Sequence, residues 1–456
     1  MMNEKGIMME QTRITFLGGL DTIGGNIISI EHGNYRVITD FGAQVGVSIE
    51  EQLDETATID LLNSQRLPLV DGIYTRSMIS ESNLVKAFED SDMETIICLS
   101  HLHIDHIGSL KHIARDIPIF ALADAAPFYE LLVETDLLPD YEFTIQGIEP
   151  LETLEFGPFN IQFHESDHDT IGAASIFIET PDLKIVYSGD LRLSGFHPER
   201  VVRWAQEARD WQADLLLIEG TSYSFGKTEP TPEQLAIDAC MEQLSLETEV
   251  QGIRAFQEIL NSAADQCIAF NGYPQNIERL FRWAQLAREN GRNILVQADM
   301  MHLLQPFNEE QVLFEVFSAD KLPEIQAHPG QYFIQVDDQD VTWLECATQG
   351  IYLHSNGRPL GHYMPGYAEF VGKIVEHGWT FIQAGISGHA HPADLLMLAY
   401  LIQAQVIVPW HTFNRLGFQE ALNQRGISTW MPDLQVTYSA DQIQTILSKE
   451  TGHANN

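Results

Sequence analysis

Short apolar segments separated by glycine-rich and polar turns dominate the first half of the chain. Such segments predict buried β-strands, because their length and their β-branched and aromatic residues suit the core of a sheet. A helix-like pattern over residues 198–210 precedes the last of these strands. The predicted strands span residues 13–17, 26–30, 35–39, 95–99, 159–163, 174–179, 184–188 and 214–218.

The pattern changes after Glu219, where predicted helices and strands alternate. Strand, helix and strand in this order form a parallel unit. We therefore predict a separate α/β domain that extends to about Pro359. Its predicted elements are a helix that opens at Pro230, helices 251–262 and 275–290, and strands 267–270 and 294–296.

Four further elements are predicted to return the chain to the first domain. They are helix 367–377, strand 380–384, helix 392–403 and strand 405–408. A length of 456 residues also exceeds one compact core, which supports two domains.

Three histidines and one aspartate directly follow the predicted strand 95–99. They are His101, His103, Asp105 and His106 in the sequence SHLHIDHIG, and a helix is predicted to begin near His106. Imidazole and carboxylate groups suit zinc or manganese, and gathering them is costly unless a cation neutralises the cluster. We interpret this segment as part of a two-metal site rather than as a set of surface histidines.

Three more candidate ligands lie at the ends of predicted strands. His168 can be the third imidazole of the first metal, although His164 lies in the same polar segment and is an alternative. Asp190 follows a strand in Ser-Gly-Asp, where its two oxygens can bridge two cations. His411 follows a strand near the end of the chain and would complete the second metal site.

In this order the motifs resemble the metallo-beta-lactamase fold, with a further resemblance to the beta-CASP nucleases and to ribonuclease J in particular. The first resemblance rests on Asp40 in TDFG, the HLHIDHIG motif, His168 and Asp190. The second rests on Glu219 in IEGT, His389 in SGHA and His411. Leu17-Gly18-Gly19 and Ile23-Gly24-Gly25-Asn26 resemble the first strand and turn of the family, and the resemblance extends over residues 13–417.

The resemblance implies an α/β fold in which an αββα metallo-beta-lactamase sandwich carries an inserted α/β beta-CASP domain. We expect the sandwich over residues 11–225 and again over 363–456, with the inserted domain over 226–362. His168 is preferred to His164 as a ligand, because its position close to Gly172-Ala173-Ala174 matches the family better.

The implied function is a metal-dependent ribonuclease, a hydrolase that cuts RNA phosphodiester bonds as an exonuclease, an endonuclease or both. Two divalent cations, zinc before manganese, are expected to activate a hydroxide. The alternative is a metallo-hydrolase of the same fold that acts on a small ester, thioester or phosphodiester. The expected metal ligands are His101, His103, Asp105, His106, His168, Asp190 and His411.

Three residues receive catalytic roles from the same resemblance. Asp105 is expected to orient the nucleophile or accept its proton, and His389 to stabilise the transition state or protonate the leaving oxygen. Glu219 is expected to orient His389 or another group behind the ligands, with an acid that precedes a helix near Thr221 as the alternative. Asp40 is a candidate for holding a ligand imidazole from behind.

Substrate contacts are predicted from one turn and several aromatic residues. Small loops can hold an anion with backbone N–H groups, so Ser355, Asn356 and Gly357 form a candidate phosphate-binding turn, with an ordinary turn as the alternative. The aromatic residues that could stack on bases, or simply fill the core, are Tyr223, Phe225, Tyr273 and Tyr363.

The charge balance argues against a general basic surface for nucleic acid. The formal net charge is -40, from 25 basic and 65 acidic residues, so RNA contacts would depend on local arginines. Those arginines could equally lie on solvated helix faces. The two candidate sets are Arg192, Arg200 and Arg203, and Arg279, Arg282, Arg288 and Arg292.

Cysteine usage and the terminal sequence predict a cytoplasmic protein without membrane contact. The four cysteines lack CxxC spacing, which indicates a reducing compartment and no disulfide framework. Residues 1–11 are polar, and no apolar segment reaches membrane-spanning length.

Overall fold

The computed structural model describes residues 10–224, 231–308, 314–346, 349–362 and 364–453. Each strand predicted in the first half of the chain is present, because short runs of β-branched and aromatic residues fill the sheet core there. The strands of the described residues are β1 (Arg13–Phe16), β2 (Ile28–His32), β3 (Tyr35–Thr39), β4 (Glu94–Cys98), β5 (Ile119–Leu122), β6 (Ile145–Ile148), β7 (Thr153–Phe156), β8 (Phe159–Glu165), β9 (Ala174–Glu179), β10 (Lys184–Tyr187), β11 (Leu215–Glu219), β12 (Met241–Gln243), β13 (Cys267–Gly272), β14 (Asn293–Val296), β15 (Phe314–Val316), β16 (Tyr332–Gln335), β17 (Gly350–Ser355), β18 (Thr380–Gln383), β19 (Val406–Trp410) and β20 (Thr437–Ser439).

The helices cover the faces of the sheets. None of those within the described residues is long and apolar enough to cross a lipid bilayer. The α-helices are α1 (Ile49–Leu53), α2 (Thr58–Asn63), α3 (Ile104–Ile107), α4 (Ala125–Glu134), α5 (Pro198–Trp211), α6 (Pro232–Asp238), α7 (Glu249–Ser262), α8 (Ile277–Glu289), α9 (Ala298–Leu304), α10 (Leu322–Ala327), α11 (Tyr367–Glu376), α12 (Pro392–Ile402), α13 (Arg415–Asn423) and α14 (Ala440–His453).

Two mixed sheets form a sandwich. Their strand orders are β20-β1-β2-β3-β4-β5-β6 and β19-β11-β10-β9-β8-β7. In the first sheet β3 to β6 run parallel, and in the second sheet β10, β11 and β19 run parallel. The parallel strands of each sheet therefore end at a common edge.

Alternating side chains build the layers of the sandwich. Leu215 and Leu217 of β11 join the core between the two sheets, whereas Leu216 and Ile218 join the core under α5, α12 and α13. Such a strand is apolar throughout because both of its faces are buried. On the other side, α2 and α4 pack on the first sheet. The predicted αββα sandwich is confirmed.

The third sheet is entirely parallel, with the order β12-β18-β17-β13-β16-β14-β15. Helices α7 and α8 cover one face, and α10 and α11 cover the other. This arrangement confirms the predicted inserted α/β unit.

One predicted element belongs to a different sheet than expected. Strand β18 pairs with β17 and β12 of the third sheet, so residues 380–383 do not return directly to the sandwich. Parallel pairing with β17 places β18 inside this sheet, and the short, unpredicted β12 forms the edge beside it. The predicted domain boundaries themselves stay predictions, since residues 225, 226 and 363 lie outside the described part of the chain.

Candidate metal centre

The predicted site residues follow the carboxyl ends of strands at one edge of the sandwich. Parallel strands that end together bring the following loops into one crevice. Asp40 follows β3, Asp190 follows β10, Glu219 ends β11 and His411 follows β19. The loop after β4 carries the histidine cluster, and α3 begins at Ile104 rather than near His106.

A close backbone contact holds two of these loops together. A Cβ atom on Gly42 would lie 1.6 Å from the carbonyl oxygen of Asp105, so only glycine lets the loop after β3 approach α3. Asp40 and His411 both have a positive φ, of 56° and 52°. This conformation turns the backbone sharply after β3 and after β19.

The structure brings all predicted metal ligands and catalytic residues into three adjoining clusters. Within each cluster the ligating atoms lie within 4.8 Å of one another. The clusters are His101, His103 and His168; Asp105, His106, Asp190 and His411; and Glu219, His389 and His411.

The donor atoms at the centre of these clusters fit a divalent cation. His101 Nε2, Asp190 Oδ1, Glu219 Oε1 and His389 Nδ1 are buried and have no hydrogen-bond partner among the described residues. A buried polar atom without a partner costs roughly 1–3 kcal/mol. Nitrogen and carboxylate oxygen atoms that converge in this way form a suitable ligand set for zinc or manganese.

Hydrogen bonds behind the clusters orient the candidate ligand imidazoles. Asp40 Oδ2 accepts from His106 Nδ1 at 2.7 Å and from the Tyr187 hydroxyl at 2.5 Å. His411 Nδ1 lies 2.7 Å from the Thr221 hydroxyl. A partner on Nδ1 leaves Nε2 free to face a metal.

His164, the alternative ligand, lies away from the clusters. Its Nδ1 is 2.8 Å from Glu207 Oε2, and its ring stacks on Phe177 at a centroid distance of 3.8 Å. His168 instead belongs to the first cluster. The geometry therefore favours His168 as the ligand.

Comparison with known proteins agrees with this site. Residues 22–221 match the family described as Metallo-beta-lactamase superfamily. This part of the chain is similar to that superfamily. Among its relatives is the ribonuclease J of Mycoplasma pneumoniae, which is 22% identical over 430 residues, covering 88% of this chain and 68% of the relative.

Further relatives show the same distant similarity. The ribonuclease J of Mycobacterium tuberculosis is 25% identical over 423 residues, 88% of this chain and 68% of the relative. The ribonuclease J of Pyrococcus abyssi is 25% identical over 197 residues, 41% of this chain and 39% of the relative. A crystal structure of a protein of unknown function from Enterococcus faecalis is 27% identical, with a TM-score of 0.77, and covers 94% of this chain and 100% of that one.

Burial sets the ionisation of the first cluster. It lowers the pKa of His168 to about 3 and, with the neighbouring His106 imidazole, holds the pKa of His101 well below its usual range. Both histidines are therefore neutral at neutral pH, which is the form that binds a metal.

The other two clusters attract positive charge. Burial opposes the shift, but the carboxylates of Asp190, Asp105 and Asp40 raise the pKa of His106 well above its usual range. Burial is likewise outweighed at His389, where Glu219 and Asp190 raise the imidazole pKa to about 10. These carboxylates favour a cation at the second cluster and a protonated His389 beside it.

A cleft of about 980 Å³ reaches His168 from between the sandwich and α8. Seven carboxylate residues and three arginines line it. Each arginine already has an acidic partner: Arg192 contacts Asp167, Arg200 contacts Glu165, and Arg282 contacts Glu278. The cleft wall is therefore acidic.

Buried ion pairs join the loop that carries His168 to the third sheet's domain. Arg192 binds Asp167 at 3.1 Å and Glu249 at 2.9 Å, and Arg279 binds Glu249 at 2.7 Å. Arg192, Arg279 and Arg292 are buried, so these three of the predicted RNA-contact arginines serve the interior. The acidic and carbonyl groups that these arginines contact lie far away in the sequence. The residue pattern along a helix therefore could not distinguish these buried arginines from solvent-exposed ones.

The predicted phosphate-binding turn lies beside this network and outside the three clusters. Ser355 is the last residue of β17, and Asn356 Oδ1 accepts from the backbone N–H of Ile386 at 3.0 Å. Arg279 Nη1 lies 3.2 Å from both side chains. Of the predicted stacking aromatics, Tyr223 stacks on Phe418, while Phe225 and Tyr363 lie outside the described residues.

Asp169 is a buried carboxylate in the site that sequence reasoning missed. It directly follows His168, and its Oδ1 has no hydrogen-bond partner among the described residues. An acid next to a ligand histidine, in a segment without lysine or arginine, was the signal available in the sequence.

Proposed function

We propose that this protein is a metal-dependent phosphodiesterase that hydrolyses RNA. The observation that carries the proposal is the position of His389. Its Nδ1 lies 3.5 Å from Glu219 Oε1 and 3.7 Å from Asp190 Oδ2, so a proton donor borders the candidate metal cluster. Distant similarity to ribonuclease J over most of the chain supports RNA as the substrate.

The proposed cofactors are two divalent cations, zinc before manganese. His101, His103 and His168 would hold one, and Asp105, His106 and His411 the other, with Asp190 between them. When bound, such cations lower the pKa of a water molecule and polarise a phosphoryl oxygen.

Asp105 would orient the attacking water and accept its proton. Its Oδ2 lies 2.9 Å from His411 Nε2, and its side chain is 28% exposed, the most accessible of the second cluster. His106 and His411 outweigh burial and hold the pKa of Asp105 below its usual range. The carboxylate is therefore ionised and can orient the water and accept its proton.

His389 is placed to give a proton to the leaving oxygen. Its side chain is 26% exposed, whereas Glu219 behind it is fully buried. Glu219 Oε2 accepts from the backbone N–H of Thr221 at 2.8 Å, which fixes the carboxylate that orients the imidazole. As the P–O bond breaks, the His389 proton neutralises the departing alkoxide.

The turn Ser355-Asn356-Gly357 is retained as a proposed substrate contact. It adjoins Arg279, and Asn356 contacts the Ile386 backbone three residues before His389. A phosphate held there would lie on the side of the third sheet's domain.

A second candidate function is hydrolysis of a small ester, thioester or phosphodiester. The acidic wall of the cleft favours it, because a polyanion would meet several carboxylates and no arginine without an acidic partner among the described residues that line the cleft. A small uncharged or singly charged substrate would meet less repulsion.

The first experiment is digestion of 5'-monophosphorylated single-stranded RNA, beside matched DNA, with added Mn²⁺ or Zn²⁺. We expect loss of RNA that the Asp105→Ala variant abolishes, and the product ladder then gives the direction of cleavage. Bis(p-nitrophenyl) phosphate and p-nitrophenyl acetate are assayed in parallel. Hydrolysis of either small substrate by metal-loaded protein that leaves RNA intact would replace the ribonuclease proposal with the second candidate.

A further inference from the structure

Ser100 lies between the first two clusters, and its hydroxyl group is close to a candidate ligand of each. The residue is fully buried in the loop after β4. Its Oγ lies 2.8 Å from Asp40 Oδ2, 3.0 Å from His101 Nδ1 and 3.4 Å from His106 Nδ1. His101 belongs to the first cluster and His106 to the second. One hydroxyl group therefore adjoins both candidate metal sites.

The Asp40 carboxylate fixes the direction of these hydrogen bonds. An ionised carboxylate only accepts, so the Ser100 hydroxyl donates to Asp40 Oδ2. The Ser100 oxygen is then left as an acceptor, and the hydrogen of the neutral His101 ring lies on Nδ1. His106 Nδ1 is nearer to Asp40 Oδ2, at 2.7 Å, than to Ser100, so it also donates to the carboxylate.

Four donors converge on Asp40 and exclude the reverse arrangement. Oδ1 accepts from the backbone N–H of Ser100 at 2.7 Å. Oδ2 accepts from His106, from the Ser100 hydroxyl and from the Tyr187 hydroxyl. If Ser100 donated to His101 instead, its oxygen and Asp40 Oδ2 would face each other as two acceptors at 2.8 Å. The hydrogen-bond direction in this buried network is therefore set from Asp40 outward.

This direction decides which nitrogen of His101 is available to a metal. With the hydrogen on Nδ1, Nε2 carries a lone pair, and Nε2 is buried without a hydrogen-bond partner among the described residues. The other tautomer would carry its hydrogen on Nε2, where Asp190 Oδ2 lies 3.8 Å away and would attract it. That form cannot bind a metal through Nε2. Ser100 thus favours the metal-binding tautomer over a competing one.

The turn that carries Asp190 holds Ser100 in place. A Cβ atom on Gly189 would lie 2.8 Å from Ser100 Cβ and 3.3 Å from its Oγ, so glycine lets the two loops approach closely. On the other side, the backbone N–H of Ala174 donates to the Ser100 carbonyl oxygen at 2.8 Å. The hydroxyl group is therefore confined between Asp40 and His101.

We propose that Ser100 is a positioning residue for the first metal, which transmits the hydrogen-bond direction set by Asp40 to His101. One buried carboxylate then fixes the tautomer of a ligand at each site, His106 directly and His101 through Ser100. The inference rests on the metal centre proposed above, but not on RNA as the substrate. Loss of such a contact behind a ligand typically weakens metal binding about 10–100-fold.

Calorimetric titration of metal-free protein with Zn²⁺ and with Mn²⁺ tests this role. His168→Ala removes a ligand of the first cluster alone, so it identifies the binding step that belongs to that site. Ser100→Ala should weaken this step by at least about tenfold and leave the other step within twofold. The matched control is Ser175→Ala, because Ser175 is equally buried but donates to the carbonyl oxygen of Tyr187 at 3.1 Å. This variant should match the wild type.

Three results of the titration would overturn the proposal. They are an unchanged first step in Ser100→Ala, an equal loss at both steps, and an equal loss in Ser175→Ala. Wild-type protein that bound neither cation would overturn the metal centre and this inference together. The titration uses no RNA, so failure of the ribonuclease proposal is seen separately.

The tautomer of His101 provides a readout that a merely structural role would not change. Long-range ¹H–¹⁵N correlation spectra of metal-free protein with labelled histidines distinguish a hydrogen on Nδ1 from one on Nε2, and His101→Gln assigns the signals. Wild type and Ser175→Ala should carry the hydrogen on Nδ1, whereas Ser100→Ala should shift it toward Nε2. A hydrogen on Nε2 in the wild type, or unchanged His101 signals in Ser100→Ala, would overturn the proposal.

Discussion

His168 Nδ1 donates to the carbonyl oxygen of Gly388 at 2.6 Å, across 220 positions of sequence. This bond ties the loop between β8 and β9 to the loop after β18 that carries His389. It also directs His168 Nε2 into the first cluster. One hydrogen bond therefore aligns the proposed metal ligands with the proposed proton donor.

Replacement of His168 should weaken metal binding strongly. His168→Ala removes a ligand and the bond to Gly388, so we expect at least a 100-fold loss of affinity at the first site. At a metal concentration of 100 times the wild-type Kd, this loss removes about 2 kcal/mol of metal-dependent stabilisation. The increase in Tm that Zn²⁺ or Mn²⁺ produces in chelator-treated protein measures it.

His164→Ala is the matched control for this prediction. His164 contacts Glu207 and Phe177, so its loss should lower stability with and without metal by the same amount. A metal-dependent increase in Tm that disappears in His164→Ala and persists in His168→Ala would reverse the assignment.

Replacement of His389 should reduce turnover and leave metal binding intact. His389→Ala removes the proposed proton donor, and general acid catalysis typically contributes about 10²–10⁴-fold. We expect kcat to fall by at least about 100-fold, with the metal content unchanged by elemental analysis. The exposed His391, the N-cap residue of α12, supplies the control. His391→Ala should retain wild-type kcat, and equal losses in both variants would remove His389 from the mechanism.

Arg279 should contribute far more to stability than Arg282 on the same helix. Arg279→Ala removes the bidentate partner of the buried Glu249 and leaves it with Arg192 and Asn276, so the loss of the charge-assisted hydrogen bonds should cost about 1.5–3 kcal/mol. Arg282 forms an exposed pair with Glu278, so Arg282→Ala should cost less than about 0.5 kcal/mol. Urea unfolding of the two variants measures the difference. Similar small losses would show that Arg192 and Asn276 satisfy Glu249 without Arg279.

The difference between these arginines shows the limit of sequence reasoning. The cluster from His101 to His106 could be recognised because its ligands are adjacent in sequence and directly follow an apolar strand. The fold class followed from the same apolar segments. His389 and Glu219 required the family resemblance, since nothing near either residue reveals that strand ends bring them together.

Burial of charge could not be predicted, because it depends on partners far away in sequence. Arg279 and Arg282 both occupy helix α8, but only Arg279 faces Glu249, which lies 30 positions earlier. Asp169 was missed for the same reason: the Gly388 backbone that fixes its direction belongs to a segment more than 200 positions later. Such long-range contacts become visible only when the strands have been ordered into sheets.

The buried His354 should make stability depend on pH. Its Nδ1 lies 2.9 Å from Gln383 Oε1 and its Nε2 lies 3.0 Å from the carbonyl oxygen of Pro359. Burial lowers the pKa of His354 to about 4, from a usual value near 6.5. Between these two values the unfolded chain binds a proton that the folded protein does not, so the free energy of unfolding falls as the pH falls. Above about pH 6.5 neither state is protonated and this effect vanishes.

The comparison of wild type with His354→Gln separates the contribution of His354 to the pH dependence of stability from that of the other buried histidines. Lowering the pH from 7.5 to 5.5 crosses about one pH unit of the window, so wild type should lose about 1.4 kcal/mol more than His354→Gln. Urea unfolding of chelator-treated protein at both pH values avoids any release of metal. The exposed His302→Gln should keep the wild-type dependence. If His354→Gln showed the same pH dependence as wild type, His354 would already be protonated in the folded protein at pH 5.5. The carbonyl oxygens of Gln383 and Pro359 would then outweigh the effect of burial on its pKa.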